Sequence, residues 1–524
     1  MEDVYGETIK RIKAQGGDKS ILGMGALMWI SFAERPLKVD ELRHALAIEL
    51  ASKDFNAGNL PSITTLVSCC QGLIIVEKEA SNVRLIHFTL KEYFSAHPDI
   101  FSRPQSAMAE ICLTYLNSEQ VKALSVAPSP KPDPRFTLRR IRSYPSIPTL
   151  PDDKPFLEYC SLYWGVHAKR ESSNHSRSLA LQLLQEYDGH ISAQPLLTID
   201  WGLNLEWDVT VSPFSGLHCA SFLGIADIVV ALIDMGCCDP NGEDSRGFTP
   251  LAWAAWKGHV EVVKILLGRE EVDPDKPDDD GRTPLSYAAK AGHEAVVKML
   301  LERKEVDPDK PCDYGRTPLS NATLEGNVGV MQILLGREEV NPNNPNSSGR
   351  TPLSYAASPV GALPILGRRE EVVKILLGRE EVHPDMPDNQ SRTPLLHAVT
   401  NKSEGVVKLL LGRKEVNPDK PDNDGRTPLS YAAWWMGSGK VVKILLQWEA
   451  VNPDKSDNHG RTPLSYAVEA GKEGVVKMLL EREEVNPQKP DNDSKTPLMW
   501  ALWERRQDMK ALLQPDKDTT HGAV

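Results

Sequence analysis

Beyond about residue 212, apolar residues arrive in pairs of short bursts separated by polar, turn-rich stretches. In Gly281 to Glu302, GRTPLSYAAKAGHEAVVKMLLE, the first burst is Leu285, Ala288 and Ala289 and the second is Val296, Val297, Met299, Leu300 and Leu301. Spacings of three and four residues predict two short amphipathic helices. Thr283 is placed to cap the first with its hydroxyl, and Pro284 fills the first helical position, where a missing N–H costs nothing. Gly292-His293 breaks the chain between the helices. Val306-Asp307-Pro308-Asp309-Lys310-Pro311 is extended and rich in turn residues, and Gly315 closes the loop. Two short helices and a finger cannot bury their own apolar faces, so the unit is stable only when stacked on copies of itself.

The copies are present. The Thr of Thr-Pro-Leu falls at Thr249, Thr283, Thr317, Thr351, Thr393, Thr427, Thr462 and Thr496, in steps of 34, 34, 34, 42, 34, 35 and 34 residues. A degenerate copy, Ser215-Gly216-Leu217, lies 34 residues before Thr249. A fixed period of this length marks a stacked helical repeat. The words TPL, AA, GH and VVKxLL, at these offsets, resemble the ankyrin repeat over residues 212 to 513. The resemblance implies about nine repeats in a curved solenoid that binds other proteins. This chain departs from the family in four ways. Ser286, Ser320, Ser354, Ser430 and Ser465 replace the usual His after TPL, which puts the side-chain network between repeats in doubt. Arg-Glu-Glu replaces the usual turn after the second helix. The loop from Val272 to Thr283 is two residues longer than the common form. Eight extra residues fall in Ser358 to Arg368, a segment with two prolines and two glycines that is expected to bulge and interrupt the stack.

The N-terminal pattern differs. Val4 to Lys13, Ile21 to Ala33, Val39 to Leu50 and Leu60 to Cys70 read as helices. Leu73 to Glu77 and Val83 to Phe88 are β-branched runs around the polar turn Lys78 to Asn82, the pattern of a hairpin. Thr89-Leu90-Lys91-Glu92 has the spacing of a capping box for another helix. Helices followed by a two-stranded wing predict a winged helix over about residues 20 to 95. LMWISFAERPLKVDELRHALA (Leu27 to Ala47) and VRLIHFTLKEYF (Val83 to Phe94) resemble the winged helix that follows the NACHT nucleotide-binding domain in fungal NOD-like (STAND) receptors. Those receptors often end in ankyrin repeats. The resemblance implies a regulatory packing element, with the repeats as a sensor arm and an upstream NACHT domain, in cis or in trans, as a partner. The phosphate-cradling GxxxxGK[ST] signature is absent. The nearest approach, around Gly437-Ser438-Gly439-Lys440, has Trp434 at the first glycine and Val441 at the hydroxyl position. The chain thus reads as the back half of such a receptor, either a truncated gene model or a separate protein. The expected fold class is mainly α: an ankyrin-repeat α-solenoid preceded by a small winged-helix (α+β) domain. The expected divisions are a winged-helix domain at 1–120, a proline-rich linker at 121–155, a helical connector at 156–211, repeats at 212–513 and a disordered tail at 514–524.

A net charge of −12 argues against generic binding to nucleic acid or membrane surfaces. Leu60 to Cys70, placed as the recognition helix of a DNA-reading winged helix, holds no Lys or Arg, which disfavours that alternative further. Eight scattered cysteines fit no common zinc spacing and read as reduced thiols in an intracellular protein. The most apolar run, Ile21 to Ala33, is too short to span a bilayer and reads as a core helix. With no secretory leader pattern, the expected compartment is the cytoplasm, with the nucleus as the alternative.

Candidate chemistry thins out on inspection. An EF-hand aligned on Gly281 puts Lys276 at the first ligand position, and one aligned on Gly425 puts Lys420 there. His293-Glu294 fails as a zinc motif because Val297 stands where the second His belongs. No metal, cofactor or catalytic residue is expected, and the chain reads as no enzyme. The resemblance instead directs attention to the concave face, formed by the fingers and the ends of the first helices. The positions seven and eight after each Thr change from copy to copy: Trp256-Lys257, Lys290-Ala291, Leu324-Glu325, Ser358-Pro359, Thr400-Asn401, Trp434-Trp435, Glu469-Ala470 and Trp503-Glu504. Trp256, Lys257, Lys290, Leu324, Trp434, Trp435 and Trp503, with Tyr314 at a finger tip, are the candidate partner-binding residues, tryptophan being a typical hot-spot side chain. The competing reading packs Trp434 and Trp435 against neighbouring helices. Tyr287, Tyr355, Tyr431 and Tyr466 are expected to stack between repeats. Arg282, Arg316, Arg350, Arg392, Arg426 and Arg461 are expected to pair with finger acids such as Asp280 and Asp424. The function expected is a non-catalytic scaffold or sensor that binds a protein partner in intracellular signalling or non-self recognition. The alternatives are a regulatory fragment of a longer NACHT NTPase and a DNA-binding regulator.

Overall fold

The computed structural model describes residues 2–50, 54–77, 81–124, 150–199, 213–358, 367–434, 439–504 and 506–514. The chain forms two compact units, Met1–Asp279 and Asp280–Val524.

The first unit opens with helices α1 (Glu2–Ala14), α2 (Gly17–Phe32), α3 (Val39–Ala47), α4 (Ile63–Cys69) and α5 (Thr89–Ala96), and strands β1 (Leu37–Lys38), β2 (Ile74–Glu77) and β3 (Asn82–Leu85). The strands form an antiparallel sheet in the order β1-β3-β2, with Leu37 opposite Val83 and Ile74 opposite Leu85. This is the winged helix, with one strand more than the hairpin predicts, since two residues carry no periodicity to read. Leu27, Trp29, Leu42, Leu66 and Phe94 form its core, while Val4 and Ile21 are exposed. The capping box at Thr89 does not form. The Thr89 hydroxyl is engaged by the Tyr5 hydroxyl and by His87 Nδ1, both at 2.8 Å, and it is the His87 ring that receives the Thr89 N–H.

Next come α6 (Pro104–Asn117), α7 (Glu119–Lys122), α8 (Leu157–Arg170), α9 (Asn174–Gln185) and α10 (Ala193–Ile199). Helix α6 packs on α8 and α9. Residues 125–149, most of the expected linker, lie outside the described residues, as does the tail from 515. A buried polar chain joins the winged helix to α8. The Glu34 N–H donates to the Tyr159 hydroxyl (3.2 Å), which bonds His167 Nε2 (2.9 Å), while Trp29 stands edge-on to the Phe156 and Tyr159 rings. Burial pushes His167 down to about 4, so this imidazole is neutral at pH 7. The unit ends with two helix pairs, α11 (Gly216–Leu223) with α12 (Ala226–Asp234), and α13 (Pro250–Lys257) with α14 (Val260–Leu267).

The second unit continues the pattern with α15 (Pro284–Ala291), α16 (Glu294–Leu301), α17 (Pro318–Glu325), α18 (Val328–Leu335), α19 (Pro352–Ala357), α20 (Arg369–Leu377), α21 (Pro394–Thr400), α22 (Glu404–Leu411), α23 (Pro428–Trp434), α24 (Gly439–Leu446), α25 (Pro463–Glu469), α26 (Glu473–Leu480), α27 (Pro497–Trp503) and α28 (Gln507–Leu513). The caps work as their residue types require. The Ser286 N–H donates to Thr283 Oγ1 at 3.2 Å, and α15 ends on Gly292 at φ 83, a left-handed residue that only glycine adopts cheaply. Leu285, Ala288 and Ala289 are fully buried against the next repeat.

The expectation that the segment at Ser358 to Arg368 interrupts the stack is corrected. Helix α19 packs on both α17 and α21, and α20 packs on α18 and α22. Val372, Val373 and Leu376 are fully buried, so the apolar face of α20 docks like that of any other second helix. Arg369 donates to the Ser403 hydroxyl of the following repeat at 2.8 Å. The extra residues themselves, 359–366, lie outside the described residues.

Candidate binding surface

Among the described residues, six fingers are held to their own repeats by one side-chain pair. Asp422 accepts the N–H groups of Asp424 and Arg426 on Oδ1, and its Oδ2 accepts the Tyr431 hydroxyl at 2.7 Å. The same pairing, nine residues apart, joins Asp244 to Trp253, Asp388 to His397, Asp457 to Tyr466 and Asp491 to Trp500. The tyrosines expected only to stack between repeats are therefore anchored within their own repeat first. Tyr466 also meets the preceding copy, with the Trp434 ring at 5.6 Å and Arg426 Nε at 3.2 Å.

Neighbouring fingers are stitched by a ladder that sequence reasoning missed. Lys420 Nζ donates to the Asp385 carbonyl (2.7 Å) and lies 3.1 Å from its carboxylate. Lys455 reaches the Asp419 carbonyl and Lys489 the Asp454 carbonyl, both at 2.7 Å. Asp419 also accepts the Asn452 N–H at 2.6 Å. Asp309, Asp385, Asp419 and Asp454 each keep Oδ1 buried and without a hydrogen-bond partner among the described residues. Burial raises Asp309 to about 6, well above the usual aspartate range. The recurring word Pro-Asp-Lys was the available signal, which the sequence shows only as part of an extended, turn-rich stretch.

Four arginines of the row pair as expected with finger acids, Arg282 with Asp280 at 2.9 Å, Arg426 with Asp424 at 3.0 Å, and Arg350 and Arg392 with Asp388, whereas Arg461 pairs instead with Glu469 at the end of α25. The row also lies over aromatic rings. The Arg461 guanidinium stands 4.1 Å from the Tyr466 ring centre and 4.4 Å from that of Trp500.

On this framework the candidate residues divide. Lys290 is exposed, Tyr314 is 47% exposed and Trp503 is 72% exposed. Leu324 is half-buried. Trp434 is half-buried between Tyr466 and the Arg426 guanidinium, 5.6 Å from its ring centre, so packing is at least part of its role. Trp256 is half-buried and stacks on Trp253 at 5.6 Å, with Phe248 at 5.8 Å. Lys257 Nζ sits 4.3 Å above the Phe222 ring centre. Trp435 lies outside the described residues. Lys290, Tyr314 and Trp503 belong to different parts of the repeat array, so the exposed candidates form a series rather than one pocket. Among the described residues, no group of three His, Cys, Asp or Glu stands together to hold a metal ion, and no helix is long and apolar enough to cross a membrane.

The geometry defines a helical repeat protein, mostly scaffold, with a winged helix ahead of it. Comparison with known families agrees: a model of three ankyrin repeats matches residues 187–278, 217–312, 266–346, 362–457 and 440–521, more than half of the chain. The chain belongs to the ankyrin-repeat family. Residues 12–106 match a model described as the GPI inositol-deacylase winged helix domain. A winged helix followed by ankyrin repeats is the layout of NACHT-associated proteins. No curated protein matches the chain. Ankyrin repeats support a role as a protein-interaction scaffold.

Proposed function

We propose that this chain is a non-catalytic recognition scaffold that binds a protein partner along its inner-helix ends and finger tips, in intracellular sensing or signalling. One observation carries the reading. The helix caps and apolar faces that stack the repeats recur almost residue for residue, whereas the positions seven and eight after each Thr vary and include side chains left at the surface, among them Trp503, Lys290 and Glu504. A large aromatic ring kept in water costs apolar exposure with no return in folding, and such residues dominate protein interfaces.

The order of domains favours a second, compatible reading. The chain then serves as the regulatory and sensor part of a larger assembly with a NACHT NTPase, in cis or in trans.

The test starts from a partner identified by crosslinking in cells with the full chain. Its affinity is then measured by calorimetry for Trp503→Ala, Tyr314→Ala and Lys290→Glu. At least one should weaken binding about tenfold or more with the circular dichroism spectrum unchanged. Equal affinity for all three variants, or a footprint confined to the winged helix, rejects the proposed surface.

A further inference from the structure

Six of the eight cysteines are buried, while Cys237 is exposed and Cys238 half-buried. The two follow α12 directly, where Gly236 turns the chain at φ 63, and their sulfurs lie 3.8 Å apart. A direct disulfide suits them poorly. Adjacent Cα atoms sit about 3.8 Å apart across a trans peptide, short of the roughly 4.4–6.8 Å that disulfides span. A single bridging atom fits better. Placed about 2.3 Å from each sulfur, the length of a zinc–thiolate bond, it subtends about 110° across the present 3.8 Å gap.

The class of bridging centre follows from what surrounds the pair. A zinc-type ion asks for three or four protein ligands, and among the described residues no group of three His, Cys, Asp or Glu offers them. A trivalent centre that brings its own third substituent needs only the two thiols.

We propose that Cys237 and Cys238 form a dithiol site that binds trivalent thiophilic centres of the organoarsenical class, bridged by both sulfurs. The reaction is a condensation with no change of oxidation state. With phenylarsine oxide, two arsenic–sulfur bonds form and the arsenic–oxygen double bond breaks. The two thiol protons leave with that oxygen as one water. Burial, together with the neighbouring Cys237, raises Cys238 to about 11, so Cys238 is a thiol rather than a thiolate at neutral pH. That state suits a condensation that discards its protons as water. It disfavours peroxide oxidation, which follows thiolate character. Cys69-Cys70, the other adjacent pair, is fully buried and serves as an internal control.

The test titrates the reduced, native full-length chain with phenylarsine oxide and reads intact mass and maleimide labelling. The expected result is one phenylarsenic group per chain, with labelling lost at Cys237 and Cys238 together. An excess of dimercaptopropanol removes the adduct, and the same excess of the monothiol mercaptoethanol does not. Cys237→Ser and Cys238→Ser should each leave only an adduct that the monothiol strips. An adduct on the unaltered chain that mercaptoethanol removes, or a stable one mapped by peptide mass spectrometry to Cys69-Cys70, overturns the proposal. Both of those readouts use the unaltered chain and stand whether or not the variants fold.

Discussion

In six repeats the side chain four residues after the capping threonine reaches back nine residues to a finger Asp or Asn, and its chemistry varies: Trp253, Tyr355, His397, Tyr431, Tyr466 and Trp500. Trp253, His397, Tyr431, Tyr466 and Trp500 each face a finger Asp as donor, whereas the Tyr355 hydroxyl accepts from the Asn346 amide; only His397 can also take up a proton. Burial, and then the charge of Arg350, push it down to about 4 from an ordinary 6.5, so the folded chain keeps it neutral, with Nε2 3.0 Å from Asp388. Below about pH 6.5 the unfolded chain binds the extra proton, so this group's contribution to stability falls as pH drops toward 4. His397→Tyr keeps a donor for Asp388 and removes the proton uptake. Urea denaturation should find the variant within ~0.5 kcal/mol of the parent near pH 7.5 and about 2 kcal/mol more stable near pH 5. Equal differences at both pH values would show that His397 is not held neutral. The caps are simpler. Thr427 Oγ1 accepts the Ser430 N–H at 3.2 Å, and Thr427→Ala should cost about 1 kcal/mol in the same assay.

At the scale of the helix pair and finger, the replacement of His by Ser after Thr-Pro-Leu explains why the fingers carry so much polar structure. The one His retained there, His218, donates Nε2–H to the carbonyls of Gly242 and Phe248, both at 3.0 Å and both in the next finger. The serines bond inward instead. Ser320 meets Thr317 Oγ1 at 3.3 Å, and Ser430 and Ser465 meet their own threonines at 3.1 and 3.2 Å. The tie between repeats passes to the Asp–Lys ladder. Lys420→Met removes both contacts to Asp385 and leaves that half-buried carboxylate without its cation, so a loss of about 1–3 kcal/mol is expected. Adding Asp385→Asn should return part of it, which a double-mutant cycle measures; strict additivity would deny the coupling. Asp309 stands at the ladder's aspartate position but meets Asn341 and Asn344 in place of a lysine, and so reports the cost of burying that carboxylate. Burial raises it to about 6, so the folded state binds its proton more tightly than the unfolded state, and stability falls as pH rises from about 3.8 through 6. Asp309→Asn should therefore stabilise the chain at neutral pH, by ~1 kcal/mol after allowing for solvent screening, and much less near pH 4.

At the scale of the whole chain, what could be read from sequence was whatever announces itself locally. Thr-Pro starts and glycine stops mark the helix ends, and the change of hydrophobic period near Leu73 marks the wing. What could not be read depends on partners far apart. The strand Leu37–Lys38 exists only because Val83 and Asn82 lie beside it, and Lys420 finds Asp385 across 35 residues of chain. The candidate surface was legible by position but not by exposure: the same ring at the end of a first helix packs on Tyr466 when it is Trp434 and stands in solvent when it is Trp503. The long step at Thr351 misled for the same reason, since prolines and glycines show a break in pattern but not whether the helices on either side still dock. They do, because Val372, Val373 and Leu376 supply the apolar face that stacking needs. An insertion that leaves both faces paired costs little beyond chain closure, under about 1 kcal/mol for so few added residues. Deleting 359–366, which returns the step from 42 to 34 residues, should therefore move the unfolding free energy by no more than about 1 kcal/mol and leave the transition as cooperative as before. A loss of several kcal/mol, or a new early transition in hydrogen exchange at 369–377, would mean that those eight residues hold α20 in place, and the stacked faces alone would no longer account for an unbroken array.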